Sequence, residues 1–274
     1  MCRVLNVSRQ GYYDWKKRKL SNRELRNRVL KAKIRVISAE SRQTYGCPRI
    51  TAELHAQGET VGKNRVARLM QEAGIVGKPA KSFIVTTDSQ HSLPVAENLL
   101  NRNFQPSAPN QVWVTDITYL HTNEGWLYVD VILDLYSRKV VGWSAANHMR
   151  TELCLTALDR ALVTRQPAPG FIHHSDRGSQ YASYHYCQRL KAAGGRMSMS
   201  RKGNCWDNAP AESFFGTLKT ELGQKSWPSL AAAQGAVSEY IHGFYNPLRR
   251  HSYNAYLSPN AAEQQWAANG KQAA

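Results

Sequence analysis

Val112-Trp113-Val114-Thr115-Asp116-Ile117-Thr118-Tyr119-Leu120 is a strand-length run of β-branched and aromatic residues with an aspartate at its middle. Working outward, Trp126–Leu133 and Lys139–Ala145 repeat the pattern, with Asn123-Glu124-Gly125 and Tyr136-Ser137-Arg138 as connecting turns. The spacing predicts a helix over Thr151–Arg165, a buried strand near Phe171–Ser175, a helix Ser183–Ala193, a short strand near Met197–Met199 and a helix from about Ala209. Short turns join the first three strands, and helices alternate with the later ones, so the pattern predicts an α/β sheet with helices on its faces.

This element order is that of a ribonuclease H-like core, and three acids stand out on it. Asp116 lies mid-strand, where a lone carboxylate is disfavoured unless solvated, paired or bound to metal. Asp176 ends the apolar strand in His173-His174-Ser175-Asp176-Arg177-Gly178, and Glu212 lies in Asp207-Asn208-Ala209-Pro210-Ala211-Glu212 at a helix start. There are 59 residues between the first two and 35 between the second and third. Two strand-borne acids and one helix-borne acid converging on a point can hold hard divalent cations and leave positions for phosphate and water. Each also has a plain reading: Asp176 as a helix cap, Glu212 as part of an amphipathic helix that also carries Asn208 and Lys219. Asp130 and Asp134 compete with Asp116. Asp134 suits organising the following turn or pairing with Arg138, whereas Asp130 stays open, with a sheet-edge position as one reading.

Charge points to a polyanion. The chain of 274 residues carries +16, and residues 1–100 hold 19 Lys/Arg against 8 Asp/Glu (+11), while residues 101–274 hold 17 against 12 (+5). Solubility or loose affinity for nucleic acid would account for the same charge. Within the basic part, Cys2–Leu5 reads as a helix tail, Asn6-Val7-Ser8 as a turn and Gly11–Trp15 as a second helix. A helix pair lacking its start suggests completion by upstream coding sequence or a separate polypeptide. Ser21-Asn22-Arg23-Glu24 is a capping box opening a basic helix to about Ser38. Residues 45–75 read as a helix-turn-helix, with Val66, Leu69, Met70 and Ala73 on the core side. Its second helix presents Lys63, Asn64, Arg65 and Arg68 to DNA, although such hairpins also serve as packing units.

The organisation predicted is a helical, helix-turn-helix DNA-binding region over 1–76, a Pro-bearing linker over 77–108 with at most a short strand at Ser82–Thr86, a catalytic core over 109–225 and a helical C-terminal extension over 226–274. The five cysteines never form a C-x-x-C pair and read as reduced thiols. His173 and His174 point to opposite faces of a strand and do not signal zinc. No stretch has the length and apolarity of a membrane span or secretory signal, so a soluble, cytoplasmic protein is expected.

Together, Trp113 to Tyr119, Asp134-Leu135-Tyr136-Ser137-Arg138, His174 to Tyr181, Asp207 to Phe215 with Lys219, Tyr245 to Ser252, and Leu257-Ser258-Pro259 resemble one family across nearly the whole chain. It is the catalytic, second-reading-frame product of bacterial insertion-sequence transposases, whose core is similar to retroviral integrase. The resemblance implies metal-dependent cleavage of element ends and direct strand transfer by the freed 3′-hydroxyl, without a covalent enzyme intermediate. It further implies Asp116, Asp176 and Glu212 as catalytic and metal-binding residues for two Mg²⁺ ions, with Mn²⁺ as a substitute, Asp116 bridging the pair. Arg177, Asn208 and Lys219 would contact DNA beside the helix-turn-helix residues. Partners implied are terminal inverted repeats, target DNA, a second copy of the chain or more, and an associated or fused upstream-frame protein. A ribonuclease H-like nuclease without joining activity and a non-catalytic DNA-binding regulator are the alternatives.

Overall fold

The computed structural model describes residues 2, 4–78, 94–202 and 204–272. The chain divides into two compact units, Met1–Lys78 and Pro79–Ala274. The expected strand at Ser82–Thr86 lies outside the described residues.

The first unit is helical. Helix α1 (Arg9–Lys17) starts at Ser8, whose hydroxyl accepts from Gly11 N, and buries none of its side chains. Ahead of it, the described residues 2 and 4–6 form turns rather than the tail of a helix; Val7 N closes the loop onto Cys2 O. Helix α2 (Asn22–Glu40) has the full reciprocal capping box of Ser21 and Glu24, which satisfies two otherwise orphaned amides. Helices α3 (Cys47–Ala56) and α4 (Lys63–Glu72) follow, and Ile50, Leu54, Val66 and Leu69 bury completely with Leu30, Ile34 and Ile37 of α2. Between them, the buried carboxylate of Glu59 receives Lys33 Nζ at 2.6 Å and Arg26, tying the turn to α2.

The second unit is built on a mixed sheet in the order β3-β2-β1-β4-β5. Strands β1 (Val112–Thr122), β2 (Gly125–Asp134) and β3 (Val140–Ala146) form an antiparallel meander, and β4 (Ile172–Ser175) and β5 (Arg196–Met199) run parallel to β1 on its other side. The expected α/β, ribonuclease H-like arrangement behind a helical helix-turn-helix region is what the chain adopts. Opposition of Thr115 to Ile132 and Ile117 to Asp130 puts these four residues on one face. That face is covered by α5 (Thr151–Arg165), α6 (Ser179–Ala182) and α7 (Tyr184–Ala192), which share with it a core of Trp113, Ile132, Leu158, Phe171, Tyr181 and Tyr186. Gly142 lets α5 come so close that a Cβ there would lie 2.4 Å from Ala157 O. The other face receives α8 (Ala209–Leu222) and α9 (Leu230–Glu239).

Two expectations need correction here. Asp130 is not at a sheet edge: β2 lies between β1 and β3, and the residue is fully buried. Residues 97–104, read as linker, are fastened to this unit. Leu99 N and Leu100 N donate to Ser198 Oγ, Asn98 and Arg102 bond Asp207, and Leu100 is buried. Such anchoring by single hydrogen bonds leaves no periodic trace in the sequence.

The C-terminal part is stitched down by polar side chains. After α9 the chain continues as a π-helical turn, Tyr240–Tyr245, and ends in α10 (Pro259–Gln272). Asn246 presents its amide to both backbone groups of Val140 on the outer edge of β3, at 3.0 and 2.9 Å. Arg249 and Glu221 form a buried bidentate pair at 2.8 Å on each arm, joined by Tyr240 Oη. Glu263 of α10 holds Arg165 and Lys139. Among the described residues no helix is long and apolar enough to cross a membrane.

Candidate active site

Parallel pairing of β1 with β4 aligns Val114 with His174. Two residues further along each chain stand Asp116 and Asp176, so the ladder's register brings the two acids abreast at the end where β4 stops. Asp116 is on the sheet face that α8 covers, its Oδ1 accepting from Ile117 N at 2.8 Å. Asp176 is half-buried, and its Oδ1 accepts from Gly178 N at 2.8 Å. Glu212 lies in the first turn of α8, where the helix dipole favours a carboxylate. The start of that helix is held to β1 by Asn208, whose Nδ2 donates to Thr115 O at 3.1 Å.

Electrostatics tie these acids together. Burial, and next the charge of Asp176, push the Asp116 carboxyl well above the ordinary range; Asp130 and Glu212 act in the same sense, and the Ile117 amide opposes. Burial and Asp176 also raise Glu212. Lys219, on α8, is lowered by burial while Asp116 opposes, and its Nζ sits 4.8 Å from the centre of the Tyr119 ring. Such a set of mutually repelling carboxylates gains from a cation more than each would alone. The donors are hard oxygens, suited to Mg²⁺ or Mn²⁺. They are not yet gathered: among the described residues no three His, Cys, Asp or Glu side chains form a ready-made metal-holding group.

Asp134 and Asp207 have structural work. Asp134 accepts from Asn110 N, Tyr136 N and Ser137 N, and so organises the turn; its cationic neighbour is Arg165 at 3.8 Å, and Arg138 instead donates to Phe104 O. Asp207 is fully buried under Arg201, Arg102 and Asn98, and these partners hold its carboxyl well below the usual range. His173 and His174 are pushed by burial to about 3 and about 4, so both are neutral at pH 7. His173 bonds Tyr186, and His174 spans Ser198 and Ser200.

The residues expected to meet DNA divide into exposed and engaged. Lys63 and Asn64 are exposed at the start of α4. Arg65 is half-buried with Nε and Nη2 both on Asn27 Oδ1, and Arg68 lies 3.7 Å from Glu72. Arg177 donates to Ser200 O, and Asn208 is buried, so its side chain serves the packing of α8 on β1 rather than a surface. Thr115 and Tyr181 surround Asp130; their mark in the sequence is one hydroxyl residue next to Asp116 and another five residues after Asp176.

Three family models match the chain: an HTH-like domain over residues 24–83 and integrase core domains over 106–205 and 193–259. The uncharacterized 31 kDa protein of insertion element IS600 from Shigella sonnei is 46% identical over 267 residues, covering 97% of this chain and 98% of that one. Transposase InsF of insertion sequence IS3A from Escherichia coli K12 is 42% identical over 266 residues, covering 96% and 92%. Among solved structures, the HTLV-2 integrase catalytic core in complex with magnesium aligns at a TM-score of 0.46 and 15% identity, over 58% of this chain and 99% of that one.

Proposed function

The chain belongs to the IS3-type insertion-sequence transposases with an integrase catalytic core, and on that premise we propose that Asp116, Asp176 and Glu212 are its catalytic acids. The reaction is cleavage at element ends and strand transfer into DNA. The observation that carries the assignment is the register of β1 and β4, which brings Asp116 and Asp176 side by side, with the Asp116 carboxyl raised by burial and next by the charge of Asp176.

The three acids would hold two divalent cations, which when bound lower the pKa of an attacking water or hydroxyl and neutralise charge on the leaving oxygen. The chain's own part is orientation. The Ile117 amide fixes one oxygen of Asp116, the Gly178 amide fixes one of Asp176, and Asn208 sets the start of the helix that brings Glu212. Lys219 of α8, whose Nζ lies over the Tyr119 ring, supplies a cation for a DNA phosphate. The first unit, with α4 as its reading helix and Lys63 and Asn64 foremost, grips the element end, and its affinity falls steeply with salt as counterions are released. Two ends joined in one event call for two copies of the chain, each acting at one end.

The test is Asp116→Asn, Asp176→Asn and Glu212→Gln in Mg²⁺-dependent cleavage and strand transfer on labelled end DNA. Each variant brings both reactions to background while retaining DNA affinity, because the amide keeps size and loses charge. Robust strand transfer by any of the three refutes the assignment.

A further inference from the structure

The ladder between β1 and β4 pairs only Val112–Val114 with Ile172–His174 and ends before the two aspartates. Strand pairing sets their register but does not tie the two acids to each other. On the opposite face of the sheet, Tyr181 Oη donates to Asp130 Oδ1 at 2.5 Å, Thr115 Oγ1 donates to the same oxygen at 3.2 Å, and the two hydroxyls are 3.4 Å apart. All three residues are buried.

Their places in the chain matter. Thr115 immediately precedes Asp116. Tyr181 is five residues after Asp176, in α6, and the intervening turn is one bonded piece: Gly178 N donates to Asp176 Oδ1, and Tyr181 N donates to Gly178 O at 3.1 Å. A pull on Tyr181 is therefore a pull on Asp176. Asp130, from β2, joins the two.

A carboxyl is an expensive way to fill this space. Burial raises Asp130 to about 7, and its Oδ2 is buried without a hydrogen-bond partner. An apolar residue of similar size would suit the core better, so the cost is offset by something besides packing.

We infer that Asp130 is a positioning residue that, through Thr115 and Tyr181, clamps the strand of Asp116 to the turn of Asp176 and so sets the spacing of the two acids. The inference rests on the catalytic assignment above.

The experiment measures Mn²⁺ binding to the full chain by calorimetry without DNA, alongside strand-transfer rate at saturating DNA, for Asp130→Asn, Asp130→Ala and Tyr181→Phe. The amide of Asn keeps the acceptor, so Asp130→Asn retains most of both. Asp130→Ala and Tyr181→Phe each weaken Mn²⁺ binding by about tenfold or more and slow transfer with KM for DNA unchanged. Combining them adds little beyond the Ala variant alone. A Tyr181→Phe protein, which loses one hydroxyl and keeps the ring, with unaltered Mn²⁺ affinity and rate overturns the clamp, whatever its thermal stability. Failure of the catalytic assignment is seen separately, because Asp116→Asn would then bind Mn²⁺ as tightly as the parent chain, and the clamp would fall with it.

Discussion

Replacing Arg249 by Met removes one half of a buried ion pair and leaves the other half in place. Arg249 is 3% exposed, and both its Nε and Nη2 reach Glu221 at 2.8 Å. In the variant, Glu221 keeps the hydroxyl of Tyr240 as a donor, at 2.8 Å. Breaking a buried pair from one side costs about 3 to 5 kcal/mol, because the surviving charge loses its counter-ion without gaining water. For a unit of this size each kcal/mol shifts Tm by about 2 to 4 °C, so the variant should melt roughly 6 to 20 °C lower. Circular dichroism with reversible thermal unfolding measures it. The paired replacement, Glu221→Leu with Arg249→Met, removes both charges and should recover most of the loss. Glu221 sits on the helix that bears Glu212, so the single variant should also lose strand transfer as α8 loosens. A single variant within about 1 kcal/mol of the parent, the level of an exposed pair, or a double variant no better than the single, would refute this account of the tail.

The raised carboxyls set a second expectation. Asp116, Asp130 and Glu212 bind their protons more tightly folded than unfolded, so their contribution makes metal-free stability fall as pH climbs from about 4, the unfolded range, through the folded values, about 7 for Asp130. At pH 8 in chelator, Asp116→Asn should melt above the parent chain although it is inactive; a lower melting point would show that no repulsion is stored there. Gly142→Ala should lose about 1 to 3 kcal/mol or more, since its methyl would meet the Ala157 carbonyl and the Ala161 methyl, and urea titration would detect it.

Much of this architecture could be read from residue order because the periodicities are strong. The strand at Val112, the helix at Thr151 and the Ser21 capping box all appear in the structure. Asp130 was legible as a carboxyl in a strand, but its burial depends on a helix that brings Tyr181 onto it from 51 residues along the chain, which local pattern does not encode. Asp116 and Asp176 were separable from Asp134 by turn chemistry, and Asp134 does hold its turn. The resemblance implies a DNA contact for Asn208, which the sequence puts on one helix with Glu212 and Lys219; only the packing of α8 on β1 turns its amide inward. The tail around Asn246 and Arg249 carried a family pattern in the sequence, and its physical sense, fastening one helix and one strand edge, emerges only once those elements are in place.

The outer margin of β3 has a consequence for how copies of this chain can meet. Asn246 occupies both backbone groups of Val140, and the carbonyls of Val141 and Trp143 accept from Thr164 and Arg160. At the far side, Met199 N on β5 points to Glu97 O, and the serine beside it is taken by Leu99 and Leu100. At Val140, Val141 and Trp143 on one margin and at Met199 on the other, the chain's own groups thus occupy amides and carbonyls that a neighbouring molecule would need to add a strand. An assembly that brings two element ends together is thereby steered towards helices, loops and the DNA itself, and strand-on-strand aggregation meets the same obstruction at these positions.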